Sequence, residues 1–317
     1  MSSSSNDQGR AYEYITLQTL YTEISKVRKA KIIESSSLTA VQHAWKNTEK
    51  GTQKLLTASA QSFVPEIFSY EPLILEDGGD CVELSIQKDR RGEDGDVRDI
   101  LLVRSGIEWE IGLSMKHNHF AVKHSRLSSS IDFGEKWYNC KCSQKYWTKT
   151  KPIFDKLKKM KASGMLWRDV PDKHKDIYIP MLEAFVEEIR DASTKHKDLP
   201  KKITEYLLGQ YDFYKVISID HERSTRINAF NLYGTLNQSG KKSKPKQKIP
   251  KTLLPTRIVS LDFKPNSSTT VELYMDRGWQ FSFRIHSANS KVENSLKFDI
   301  QSIGMPTTIL TINCKWK

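Results

Sequence analysis

Long apolar runs are missing from this chain of 317 residues. No stretch approaches the roughly 18 apolar residues of a membrane-spanning helix, so none is expected. The opening residues, Met1 to Gln8, carry neither the basic segment nor the apolar segment of an export signal. Cysteine is scarce: Cys81, Cys140, Cys142 and Cys314 are too few for a disulfide framework and read as reduced thiols in a cytoplasm. Cys140 and Cys142 form a Cys-x-Cys pair, but no second pair follows at the spacing of a structural zinc site, so zinc is not expected. Glycine and proline, at 15 and 11 residues, are not in excess, which excludes collagen-like and low-complexity classes.

Positive charge is what the chain has in surplus. Fifty Lys and Arg against 38 Asp and Glu give a formal net charge of +12. That sign favours a polyanionic partner, because each phosphate neutralised by a cation releases condensed counterions. Otherwise the composition is that of a globular protein with a real core, 38% hydrophobic and 28% charged.

Periodicity predicts a helix from about Asp7 to Ile33, capped by Asn6 or Asp7. A second helical stretch runs from about Leu38 to Phe63, interrupted near Gly51, with Pro65 and Pro72 marking a change of direction. From Cys81 to Lys116 the pattern is β-like, and helices return over 152–162, 177–192 and 199–208. After Gly209 the chain reads as strands, with Asp276-Arg277-Gly278 as a hairpin turn. This predicts an α/β (α+β) protein without internal repeats. Residues 1–208 would form a core with N-terminal helices, and 209–317 a β-rich C-terminal region. The lysine-rich stretch from Ser239 to Lys251 reads equally well as a phosphate-contacting or a solvated loop.

The strand over 109–116 alternates, sending Ile111, Leu113 and Met115 to one face and Glu110, Gly112, Ser114 and Lys116 to the other. A loop of about four residues, Ser105 to Glu108, would set Asp99 of the preceding strand opposite Ser114, with Lys116 two residues on. A carboxylate and an ammonium then share one end of a sheet. Phosphodiester hydrolysis needs such parts: carboxylate oxygens to hold a hard divalent cation, and a cation to stabilise transition-state charge.

The layout resembles the PD-(D/E)xK nuclease signature, with Asp99 as its first acid and Ser114-Met115-Lys116 in the triplet. Serine replaces the usual acid, so a second metal-binding carboxylate has to come from elsewhere. Glu110 lies on the correct face but roughly 13 Å away at about 3.3 Å per residue. Asp96 is close, in the acidic turn that starts at Glu93. Glu13 sits in a Gly9-Arg10-Ala11-Tyr12-Glu13 string similar to the first helix of many nucleases of this superfamily. These readings give Asp99, Lys116, Ser114 and Glu13 as catalytic candidates, and Asp99, Glu13 and Asp96 as metal ligands.

The stretch from Glu110 through His117, Asn118 and His119 to Ser128, with Ile131-Asp132-Phe133-Gly134, Lys136 and Trp137, resembles the HaeIII family of type II restriction endonucleases. So do Asn6 to Glu13 and Glu71 to Gly78. The likeness is specific over about residues 5 to 150. It implies a PD-(D/E)xK core with a mixed central sheet flanked by helices. It also implies Mg²⁺-dependent cleavage of double-stranded DNA at GGCC to blunt ends in a bacterial cytoplasm, and a cognate methyltransferase. A palindromic target suggests a homodimer. His117, Asn118, His119, Lys123, His124 and Arg126 follow the catalytic strand and are expected to meet DNA. The adjacent string His117-Asn118-His119 is not an HNH nuclease motif, whose residues are dispersed over a ββα unit. Two other readings stand beside this one: a repair nuclease or junction resolvase, and a non-catalytic DNA-binding protein on a nuclease-like sheet.

Overall fold

The computed structural model describes residues 5–88, 95–119, 121–240, 244, 248–287 and 289–317. Glu93 and Asp94 of the acidic turn, Phe120, and six residues of the lysine-rich stretch (241–243 and 245–247) lie outside the described residues.

In chain order the principal elements are α1 (Ser5–Ser25), β1 (Ala30–Ile32), α2 (Ser36–Lys46), α3 (Lys50–Tyr70), β2 (Val82–Ile86), β3 (Ile100–Arg104), β4 (Trp109–His117) and β5 (Ala121–Ser128). Then come α4 (Phe133–Tyr138), α5 (Gln144–Ala162), α6 (Ile179–Lys195), α7 (Leu199–Leu208), β6 (Phe213–Ile219) and β7 (Ser224–Phe230). The chain ends with β8 (Ile258–Phe263), β9 (Thr270–Met275), β10 (Gln280–His286), β11 (Ser295–Gly304) and β12 (Leu310–Lys315). The protein is a mixed α+β structure, as the pattern predicts, with the mixed central sheet and flanking helices that the resemblance implies.

Several local expectations are corrected. The first helix stops at Ser25, and Ala30–Ile32 pairs in parallel with β2 instead of continuing it. That helix begins at Ser5, so Asn6 and Asp7 lie within its first turn. Gly51 falls in the first turn of α3 and Pro65 inside it, while Pro72 opens a short 3₁₀ turn. Pro152 likewise sits inside α5, whose start is set by Ser143: its hydroxyl accepts from the Tyr146 amide at 3.1 Å. Strands β5 and β11 were not foreseen. The hairpin at Asp276 is present, with Arg277 and Gly278 at φ 59° and 85° and the Asp276 carboxylate accepting from the Thr256 and Arg257 amides.

Two compact units emerge. The first comprises residues 1–120, 209–252 and 307–317; the second, 121–208 and 253–306. The first holds a sheet of order β1-β2-β3-β4-β6-β7-β12, in which β4 and β6 run parallel while β2, β3 and β4 form an antiparallel meander. Alternation decides which face is buried under helices. Ile100, Leu102, Leu113, Met115, Tyr214 and Val216 share one core with Ala11, Tyr12 and Leu17 of α1 and Phe63 and Val64 of α3. The second unit has a sheet of order β5-β11-β10-β9-β8. One face of it buries Phe283 and Phe298 in an aromatic cluster with Trp137 and Phe185, and Phe281 is buried against Trp279.

Candidate active site

The loop over 105–108 is short enough to fix register. A 3₁₀ turn at Ser105–Ile107 and Glu108 in the left-handed region (φ 50°) return the chain antiparallel, and Ile100 pairs with Leu113. One step further, Asp99 stands opposite Ser114, its amide donating to the Leu113 carbonyl at 2.8 Å.

Three donors converge on one oxygen of Asp99. The Met115 amide donates to Oδ2 at 2.6 Å, Lys116 Nζ at 3.3 Å and Ser114 Oγ at 3.4 Å. Asp99 and Lys116 are each about a quarter exposed, at 26% and 28% of their side chains, so a substrate can reach them. Ser114 is buried. The expected trio is therefore brought together on the face turned away from α1 and α3. Among the described residues the donors to Asp99 gather on Oδ2, which leaves Oδ1 as the oxygen through which a cation would be held. A partly exposed carboxylate tethered by one oxygen suits a hard cation such as Mg²⁺. The Ser114 hydroxyl is a weaker, neutral donor.

The other metal candidates are differently placed. Asp96 accepts from Arg98 Nε at 2.8 Å and Nη2 at 2.9 Å, and from Gln87 Nε2 at 2.7 Å. Burial works against its charge, but the Arg98 guanidinium outweighs it and holds the carboxyl below its usual range. Glu110 is exposed and accepts from Arg98 Nη1 at 2.5 Å. Arg98 lies across Gly112: a Cβ there would come within 2.1 Å of Arg98 Cδ, so only glycine lets the guanidinium cross the strand. Glu13 is half-buried on α1. Its helix packs on the face of Leu113 and Met115, the face opposite to that of Ser114 and Lys116.

The residues after Lys116 divide by alternation. His117 falls on the helix-covered face, where Nε2 lies 2.8 Å from Asp220 Oδ2. Asn118, at φ 51°, donates to the same oxygen at 3.0 Å and accepts from the Asp220 amide at 2.9 Å. Burial raises the Asp220 pKa, but His117 and Asn118 more than reverse it and the carboxyl sits low. His119 is half-buried beyond them. In the second unit, Lys123 points to the helical side of β5, its ammonium 3.8 Å from the Tyr206 ring centre and donating to the Tyr206 carbonyl. His124 and Arg126 point to the other face. That face is polar, with Asp299 paired to His124, Arg284 exposed beside Asp299, and Lys297 paired to Arg126. Arg126 Nη1 donates to Glu293 and Ser295 at 3.1 and 2.9 Å.

One charged residue escaped the sequence reading. Lys215 of β6 pairs in register with Ser114 and is only 6% exposed. The signal was a lysine inside the otherwise strand-forming run Phe213-Tyr-Lys-Val-Ile-Ser-Ile219. Burial lowers its pKa, and the Lys116 charge lowers it further, to about 7.

Residues 9–306 match the model of the HaeIII restriction endonuclease family. The type II restriction enzyme HaeIII of Haemophilus aegyptius is 48% identical over 318 aligned positions, covering 100% of both chains. No solved structure matches the chain. No helix among the described residues is long and apolar enough to cross a membrane.

Proposed function

The chain belongs to the HaeIII restriction endonuclease family, and from that membership and the Asp99–Lys116 geometry we propose that it cleaves double-stranded DNA at GGCC to blunt ends, using Mg²⁺. The single observation that carries the chemistry is the convergence of Lys116 and the Met115 amide on Asp99 Oδ2.

Asp99 would hold the cation, with Glu13 and Asp96 as the carboxylates that complete its set. An ionised carboxylate has four lone-pair sites, and on Asp96 the Arg98 amide, Nε and Nη2 and Gln87 Nε2 fill them, so Asp96 would join the set only by exchanging one of those donors for the cation. The bound ion supplies charge neutralisation and acidity at the scissile phosphate. Lys116, about a quarter exposed and tethered to Asp99, would place its positive charge where the phosphate gains negative charge during attack. Ser114 donates to Asp99 and helps fix the carboxylate's orientation. His119, His124 and Arg126 would contact DNA. Lys123 would do so only by leaving Tyr206, and His117 and Asn118 would act through the turn that Asp220 holds. The exposed polar sheet face with His124, Arg126, Arg284 and Lys297 suits base and phosphate contacts, Arg and Lys being the natural readers of guanine. It gives the C-terminal strands a part in recognition.

A two-fold palindrome is matched by a homodimer. A methyltransferase of the same specificity would protect the host's DNA, with both enzymes in the bacterial cytoplasm. Digestion of phage DNA by the purified protein with Mg²⁺, followed by sequencing of fragment ends, tests the proposal. Blunt ends cut between the second G and the first C of GGCC are expected; ends sharing no short palindrome would overturn it.

A further inference from the structure

The polar face of the five-stranded sheet carries an ion pair with one end buried and the other in solvent. Alternation along β10 sends Phe283 into the aromatic cluster and Arg284 to the opposite face. Arg284 pairs across strands with Asp299 of β11, and its Nη2 donates to Asp299 Oδ2 at 3.0 Å. The Asp299 side chain is 5% exposed and that of Arg284 54%. Gln301, two residues along β11, donates from Nε2 to the same oxygen at 3.2 Å. As a stabilising device this pair is poor: a carboxylate loses its hydration on burial, and a partner left half in water returns little of that cost.

As a device for aiming a cation it is good. An arginine loses much rotamer freedom when a ligand fixes it, and one already held from the sheet beneath has met that cost in the folded protein. Asp299 engages one N–H of Nη2, whereas a guanidinium carries five N–H donors in a rigid fork. The exposed edge can therefore meet two acceptors at once. A phosphate contact needs charge more than aim, and Lys297 and Arg126 on the same face supply charge. A fixed fork is what a base edge requires, and guanine offers O6 and N7 side by side in the major groove. We infer that Arg284 reads a guanine of each GGCC half-site through O6 and N7, and that Asp299 is the positioning residue that aims it. This rests on the proposed cleavage at GGCC and assigns it one base-reading side chain.

The test measures equilibrium binding of wild type, Arg284→Ala, Arg284→Lys and Asp299→Asn, with Ca²⁺ in place of Mg²⁺. The duplexes are GGCC, a scrambled site, and GGCC carrying 7-deazaguanine, which lacks the N7 acceptor, at the first or the second G. Arg284→Ala should bind GGCC at least about tenfold more weakly, within the discrimination of one bidentate arginine–guanine pair, and the scrambled duplex within about threefold of wild type. At one of the two G positions 7-deazaguanine should weaken wild type and leave Arg284→Ala unaffected, as expected of groups in direct contact. Asp299→Asn should lose part of the preference for GGCC and be less sensitive to the analogue at that same position; a merely structural role would leave that sensitivity intact. Arg284→Lys keeps the charge but not the fork, and its exposed position puts folding at little risk, so it should fall short of wild type on GGCC alone. An alanine variant that weakens both duplexes equally with a shallower salt dependence marks a phosphate contact and overturns the inference. So does a lysine variant equal to wild type, or an alanine variant that keeps wild-type sensitivity to the analogue at both positions. If wild type does not prefer GGCC to the scrambled site, the target reading itself falls; if it does and the Arg284 variants are equally selective, only the role of Arg284 falls.

Discussion

The main-chain amide of Met115 donates to Asp99 Oδ2 at 2.6 Å, so the side chain just before β3 is fixed by the backbone of β4. This bond survives any change of side chain at 115 except to proline, which has no N–H to donate. The carboxylate's orientation therefore depends on sheet register more than on the triplet's side chains.

Ser114 Oγ adds a longer contact to the same oxygen, 3.4 Å. A bond that long is weak, and the Met115 amide remains without it. Ser114→Ala should lower the single-turnover rate by less than about tenfold. A loss as deep as that of an Asp99 variant would show that the hydroxyl does more than orient Asp99.

Glu13 and Glu110 separate two versions of the metal site. Glu110 is exposed and bound to Arg98, an ion pair worth about 1 kcal/mol or less when partly solvated. Glu110→Gln should keep much of the activity and Glu13→Gln lose most of it, measured by rate against Mg²⁺ concentration. The reverse result would move the second carboxylate onto the strand.

Gly112→Ala should be costly well out of proportion to its size. The added methyl would meet Arg98 Cβ, Cγ and Cδ at 2.8, 2.5 and 2.1 Å. Arg98 is buried in its pairing with Asp96, so it cannot swing away freely. Thermal unfolding should show a loss of roughly 1–3 kcal/mol, typical of overpacking, and activity should fall because β3 and β4 are forced apart. An unchanged melting temperature would mean that Arg98 has room to move.

Glu71 gives stability its pH dependence. It is fully buried, and burial pushes its pKa up to about 8 despite accepting from Tyr214 Oη, Trp109 Nε1 and the Asn237 amide. The folded chain thus keeps a proton that the unfolded chain gives up near pH 4.5, and stability must fall as pH rises between about 4.5 and 8. The contribution is roughly 3–5 kcal/mol across that window. Glu71→Gln should flatten the fall; an equally steep decline in the variant would assign it to other groups.

Much of this centre is legible in the sequence because a strand is a period-two object. Alternation over 109–116 and a four-residue loop suffice to set Asp99 against Ser114, and the structure repeats that register. The same rule carried past Lys116 would have sent His117 to the helix face, where it meets Asp220. Asp220 lies 103 positions away in sequence, too far for spacing to reveal. Lys215 was hidden for a similar reason: its neighbour in space, Ser114, joins it through a parallel pairing whose connection runs through residues 121–208, the first segment of the second unit. Pro65 and Pro152 misled because tertiary packing kept α3 and α5 helical through them.

The central claim is that Asp99 and Lys116 together cut DNA. Its most direct test is cleavage of a GGCC duplex by Asp99→Ala and Lys116→Ala with Mg²⁺, alongside duplex binding. Each variant should lose cleavage by 10³-fold or more, on the order expected when a transition-state group is removed, while binding the duplex as the wild type does. Cleavage by either variant within tenfold of wild type would contradict the account.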